Sequence, residues 1–193
     1  MTTPAPLHRP TNSPTSKLTK APVAPTAWKD TLQATQFGAS CIQNPRMYSP
    51  GNANTFDASV GDNILSGHTP GSEDCLSLNI WRPATNEKNL PVIVFIYGGS
   101  NITGYSADPL YDGAALAKKA NAVVVSANYR LGQLGFFRHP ALRDTAVDPT
   151  LTPEDQSGNF AVLDIIAALK FVQGNIEHFG GNKANVTLAG QSA

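Results

Sequence analysis

Two glycine turns and one serine carry the chemistry this sequence could perform. The first turn is Gly190-Gln191-Ser192-Ala193, which follows a short apolar strand pattern at Val186 and Leu188. It is four fifths of a G-x-S-x-G pattern. In that pattern a serine sits on a strained turn between a strand and a helix, with small neighbours because the backbones crowd there. The second turn is Gly98-Gly99-Ser100, at the end of the apolar run Val92–Tyr97. Glycines let a backbone bend until its N–H groups converge on one oxygen, at about 2.7–3.1 Å. Together the two turns would suit a hydroxyl, Ser192, attacking an acyl carbonyl. The N–H groups of Gly99, Ser100 and Ala193 would then hold the oxyanion. On their own, the residues from Phe179 onward read equally as a strand end followed by a polar turn. Gly98-Gly99 alone could be a plain strand-end turn, but the elbow beside it favours the oxyanion reading. Such a motif needs its structural context.

That context is a set of alternating strands and helices. Leu76, Leu78 and Ile80 alternate with Ser77 and Asn79, a half-buried strand ending at Trp81-Arg82-Pro83. Residues 84–91 form a polar turn closed by Pro91. Val92–Tyr97 is a continuous β-branched and aromatic run, as expected of a central strand buried on both faces. Residues 108–120 read as a helix ending in Lys118 and Lys119, where cations suit the dipole, with Asn121 as its cap. Ala122–Ala127 is the next buried strand. Residues 131–157 are loop, with Leu131, Leu134, Phe136 and Phe137 packed down. Phe160 to His178 is a helix, apolar nearly all round and therefore sandwiched between layers. Gly180-Gly181 ends it, and the strand to Ser192 follows. Strands separated by helices argue for an open α/β sheet with right-handed crossovers, whose sites gather at the carboxyl ends of the strands. Both glycine turns would then open on one edge.

Composition removes several classes. The 193 residues are 41% hydrophobic and 15% charged, with a formal net charge of zero. No basic patch points to nucleic acid. The apolar runs are too short to span a bilayer. No signal-peptide pattern opens the chain. No metal-ligand cluster stands out, and no G-x-G-x-x-G follows a strand, which counts against a dinucleotide-binding protein. Residues 1–26 are rich in Pro, Thr, Ser and Lys and read as extended or disordered. Trp28 is the first plausible anchor. Residues 28–75 are loops laid over the scaffold, with turn signals at Asn44-Pro45, Ser49-Pro50-Gly51 and Thr69-Pro70-Gly71. The two cysteines, Cys41 and Cys75, allow one pairing. Oxidised, they would close a loop worth roughly 3–4 kcal/mol; reduced, they would suit a cytosolic protein.

Over residues 27–193 the sequence resembles the type-B carboxylesterase, lipase and cholinesterase family of the α/β-hydrolase fold. Glu73-Asp-Cys-Leu76 is similar to its E-D-C-L signature, and Pro91–Gly104 to its oxyanion-loop block. Val123–Gly132 resembles its N-Y-R-L-G strand, and Gly158 to Ala193 its serine signature. The resemblance implies an incomplete α/β-hydrolase domain over 27–193 and a serine esterase acting on a small-molecule ester through an acyl-enzyme, with no cofactor. It implies a disulfide between Cys41 and Cys75, hence an exported protein, and a buried salt bridge between Glu73 and Arg130. Oligomeric state is not implied.

The sequence also departs from the family. Ser100 stands where a third glycine is usual, and Gln191 where glutamate is common. In this fold the order is serine, then acid, then histidine. All four histidines (His8, His68, His139, His178) precede Ser192. The expectation is a truncated N-terminal portion of an esterase, inactive and poorly stable alone, with an exposed sheet edge. A non-catalytic binding or adhesion domain and a degenerate gene fragment are the alternatives.

Overall fold

The computed structural model describes residues 20–25, 29–30, 34, 36–43 and 69–193. Trp28, the turns at 44–51, His8 and His68 lie outside the described residues. Four strands, β1 (Leu78–Trp81), β2 (Leu90–Ile96), β3 (Val123–Ala127) and β4 (Gly181–Gly190), form one sheet in the order β1-β3-β2-β4. β3, β2 and β4 run parallel, and β1 is antiparallel to β3. The result is a mixed sheet with flanking helices, as the resemblance to part of an α/β-hydrolase fold leads one to expect.

Both faces of the sheet are covered. Val92, Val94, Val123 and Val125 pack against Val172 and Ile176 on one face. Val172 belongs to helix α3 (Phe160–Asn175). On the other face, Trp81 and Val124 pack against Ala117, with Ile93 and Ala114 alongside. These alanines lie on helix α1 (Ala114–Ala120). The alternation along β2 and β3 follows from the two-residue period of a strand. A right-handed crossover from β2 to β3 and another from β3 past β2 to β4 place α1 and α3 on opposite faces. Each fully buried valine contributes about 1.5–3 kcal/mol.

Several elements differ from the sequence reading, each for a local reason. β1 does not alternate cleanly, because Asn79 is buried. Its amide donates to the hydroxyls of Ser106 (3.1 Å) and Ser126 (3.3 Å), so the polar group is satisfied inside. β2 starts at Leu90 and includes Pro91. The register with β4 shifts between Leu90 and Val92, where the proline has no N–H to give. The expected helix over 108–120 is broken into a 3-10 turn, Pro109–Tyr111, and α1. Gly113 sits at the break, where a Cβ would lie 2.7 Å from the Trp81 ring. Asn121 caps α1 in the left-handed conformation, φ 45°. α3 ends at Asn175 and continues as a 3-10 turn, Ile176–Phe179. It is not sandwiched: Val162 and Ile166 are each 40% exposed, and no described residue layers over them.

Phe136 and Phe137 are not packed down either. They end and cap the short helix α2 (Gly132–Phe136) and flank an open groove of about 640 Å3, lined also by Ser100, Asn101 and Ile102. Among the described residues β4 pairs only with β2, and its Leu188 is 57% exposed. The sheet edge is therefore open on that side, as expected.

Candidate active site

Parallel pairing brings the two glycine turns together. Ile96, the last residue of β2, is in register with Gly190, the last of β4. Gln191 N–H donates to the Ile96 carbonyl (3.2 Å), so the strands stay paired up to the residue before the serine. Ser192 then adopts φ 51°, left-handed backbone that costs a side-chain-bearing residue roughly 1–2 kcal/mol. A nucleophile elbow requires such a strained turn. The turns touch: a Cβ on Gly98 would overlap the Gln191 carbonyl and come within 3.1 Å of Ser192 Cβ. Small residues are needed here because the two backbones leave no room.

The Gly98–Ser100 turn is tightly wound. Gly99 has φ 140°, and its carbonyl accepts the N–H groups of Ile102 (3.0 Å) and Thr103 (3.1 Å). Ser100, at the position of the expected third glycine, has φ 55°, and Asn101 follows at 59°. Gly99 N–H donates to the Ala193 carbonyl at 2.9 Å, so of the three expected oxyanion donors this one is engaged with the serine turn itself. Ser192, Ala193 and Ser100 are exposed.

Gly99→Ala should test this geometry. The added Cβ would overlap the Thr103 carbonyl, and φ 140° is closed to L side chains. A loss on the order of 3 kcal/mol is expected in urea unfolding followed by tryptophan fluorescence. Gly132→Ala is the control. It has φ 53° but nothing within 4 Å of its Cβ position, so only about 1 kcal/mol should be lost.

Tyrosines brace the turns from below. Tyr97 and Tyr129 stack with centroids 4.6 Å apart. Each donates its hydroxyl to the other's carbonyl, at 3.2 and 2.8 Å. Burial pushes the Tyr97 phenol well above its ordinary value and Tyr129 up to about 12. Both stay neutral near pH 7 and supply no base. Tyr111 donates to Gln191 Oε1 at 2.6 Å, fixing the residue next to the serine. Neither histidine of the described structure reaches Ser192. His139 stacks on Phe137 and accepts from the Ala141 N–H. His178 lies in the turn before β4, at the opposite end of that strand.

Cys41 and Cys75 form a disulfide, both nearly fully buried. Glu73 and Arg130 line one small cavity beside it, but Glu73 is exposed. The structure gives Arg130 a carboxylate that the sequence reading missed. Asp164 takes the Arg130 Nη2 (2.6 Å), Nε (2.8 Å) and backbone N–H (3.0 Å). The signal was an acid set among Leu163, Ile165 and Ile166 in the apolar first half of that helix. Among the described residues no group of three or more His, Cys, Asp or Glu could hold a metal ion, and no helix is long and apolar enough to cross a membrane.

The chain is similar to several known esterases. The profile of the Carboxylesterase family matches residues 14–193. The chain is 42% identical over 175 residues to fumonisin B1 esterase of Sphingopyxis macrogoltabida, covering 90% of this chain and 28% of that protein. It is 41% identical to the cholinesterase of Mus musculus over 174 residues, covering 90% and 26%. It is 39% identical to para-nitrobenzyl esterase of Bacillus subtilis (strain 168) over 175 residues, covering 90% and 31%. Among solved structures, a thermophilic pNB esterase superposes with a TM-score of 0.69 at 38% identity, over 90% of this chain and 31% of that one. The chain thus spans less than a third of the length of these relatives. With a match over nearly its whole length, the chain belongs to the carboxylesterase family.

Proposed function

We propose that this chain is the nucleophile-bearing part of a serine carboxylesterase. The observation that carries the reading is Ser192 at φ 51° on the turn after β4, in contact with the glycine turn of the neighbouring parallel strand. Ser192 Oγ would attack the carbonyl carbon of a small ester and pass its proton to a base. The alcohol would leave with a proton, and water would then release the acid from the acyl-enzyme. N–H groups of Ala193, Ser100 and Gly99 would hold the oxyanion, Gly99 once its bond to the Ala193 carbonyl yields. No cofactor enters such a sequence. The buried disulfide supports an exported parent protein, since such bridges persist in oxidising compartments. Glu73 is proposed as a further charge partner of Arg130 at the cavity they share.

Neither described histidine reaches Ser192, and on this reading the acid and histidine come from additional polypeptide. A chimaera tests this: residues 1–193 followed by the remainder of the Bacillus subtilis para-nitrobenzyl esterase from the residue after its matching Ala. Turnover of p-nitrophenyl butyrate, lost on Ser192→Ala, is the expected result. A folded chimaera without Ser192-dependent turnover would support the non-catalytic alternative and sink the esterase reading.

A further inference from the structure

We propose that Gln43 is a positioning residue of the Gly98–Ser100 turn, and that through it the Cys41–Cys75 disulfide sets that turn's geometry. The inference deepens the esterase reading and, for its catalytic consequence, rests on it. Gln43 is 5% exposed, and its side chain uses all its hydrogen-bonding capacity. Nε2 donates to the carbonyls of Cys41 (3.0 Å) and Gly104 (2.9 Å). Oε1 accepts from the Thr103 hydroxyl (2.8 Å) and the Gly104 N–H (2.7 Å). One amide thus clamps the returning limb of the glycine turn from both sides.

The clamp has a rigid base and a short lever. At the base, Gln43 is two residues from Cys41, whose disulfide fixes it to Cys75. Gln43 N–H donates to the Pro70 carbonyl, and Cys41 bridges to Ser72. At the lever, Gly104 lies against Gly98, where a Cβ on Gly104 would be 2.7 Å from the Gly98 carbonyl. Thr103 N–H bonds the Gly99 carbonyl, and the Thr103 carbonyl crowds Gly99 Cα. Displacing Thr103-Gly104 therefore moves the Gly99 and Ser100 N–H groups. Oxyanion stabilisation depends on tenths of an ångström in such donors.

Amide hydrogen exchange on the 193-residue chain, read by NMR, tests the clamp without any activity. Gln43→Met keeps the volume and removes the polar atoms. Exchange at Gly99, Thr103 and Gly104 should speed up about tenfold, as for the loss of a buried hydrogen bond. Val94 and Val125, in the sheet, should not change. Gln43→Glu keeps the acceptor and should restore Gly104 protection above that of Gln43→Met. Cys41→Ala with Cys75→Ala should give the same turn-limited pattern, and adding Gln43→Met to it should speed the turn no further; if that double variant does not fold, Gln43→Met alone decides. In the chimaera, Gln43→Met should lower kcat about tenfold with KM unchanged, because the donors act on the transition state. Unchanged turn amides, acceleration spread evenly over the sheet, or a rise in KM at constant kcat would overturn the proposal. An inactive chimaera would count against the esterase reading alone, because the exchange pattern still decides the clamp.

Discussion

The 193-residue chain by itself is expected to leave p-nitrophenyl butyrate unhydrolysed above the buffer rate. A serine hydroxyl at its ordinary acidity is a weak nucleophile. It needs a base within hydrogen-bond reach, about 2.6–3.2 Å. His178 precedes β4 and Ser192 follows it. At roughly 3.3 Å per residue, that ten-residue strand separates them by about 30 Å. His139 is engaged at Phe137 and Ala141. The buried phenols of Tyr97 and Tyr129 are held neutral by burial. Loss of the histidine of such a triad alone costs on the order of 10^6 in kcat. Release of p-nitrophenolate by the chain should therefore match that of Ser192→Ala, while the chimaera exceeds both. Ser192-dependent turnover by the isolated chain would refute the argument, since it would require a base that the described residues do not offer.

The site was largely legible in the sequence because it is made of turns at strand ends. Two apolar runs ending in glycine are a one-dimensional signal, and alternating strands and helices put both ends on one edge of the sheet. That β2 and β4 are neighbours, with Ile96 in register with Gly190, appears only in the structure. The disulfide came from resemblance rather than from spacing, since two cysteines with loops around them read either way. Partners chosen in three dimensions were not legible. Asn79 reads as an outward polar residue until Ser106 and Ser126 close over it. Gln43 reads as a loop residue until Thr103 and Gly104 arrive some sixty positions later. The exposed faces were misread for a related reason. A helix apolar all round, and Phe136-Phe137, signal a need for cover. They do not say whether the described residues supply it.

Asp164→Ala should be among the most destabilising single substitutions, at about 3–5 kcal/mol in urea unfolding. The carboxylate is buried on α3 and takes three N–H groups of Arg130, which ends the β3 segment leading to α2. Removing one member of a buried pair leaves a desolvated charge behind. A guanidinium cannot shed its proton, so Arg130 would keep its charge after the loss of Asp164. Of its other contacts, the Lys20 carbonyl (2.8 Å) and the Phe160 ring (5.1 Å) carry no formal negative charge, and Glu73, at the cavity it shares with Arg130, is exposed to water that screens its charge. Arg130→Met should behave differently, because Asp164 can take up a proton. Burial already pushes this carboxyl above its ordinary 3.8, even against the hydrogen bonds and attraction of Arg130. In Arg130→Met only the backbone N–H of position 130 still opposes the upward push. Between 3.8 and the raised folded value the native state then holds more protons than the unfolded chain. Stability rises with pH only where the unfolded state binds more protons, so here it must fall as pH rises. Arg130→Met should therefore regain stability as the pH is lowered from 7 towards 4, relative to Asp164→Ala at each pH. Parallel pH profiles for the two variants would show that Asp164 does not retain its proton in the fold, and the account of the pair would fail.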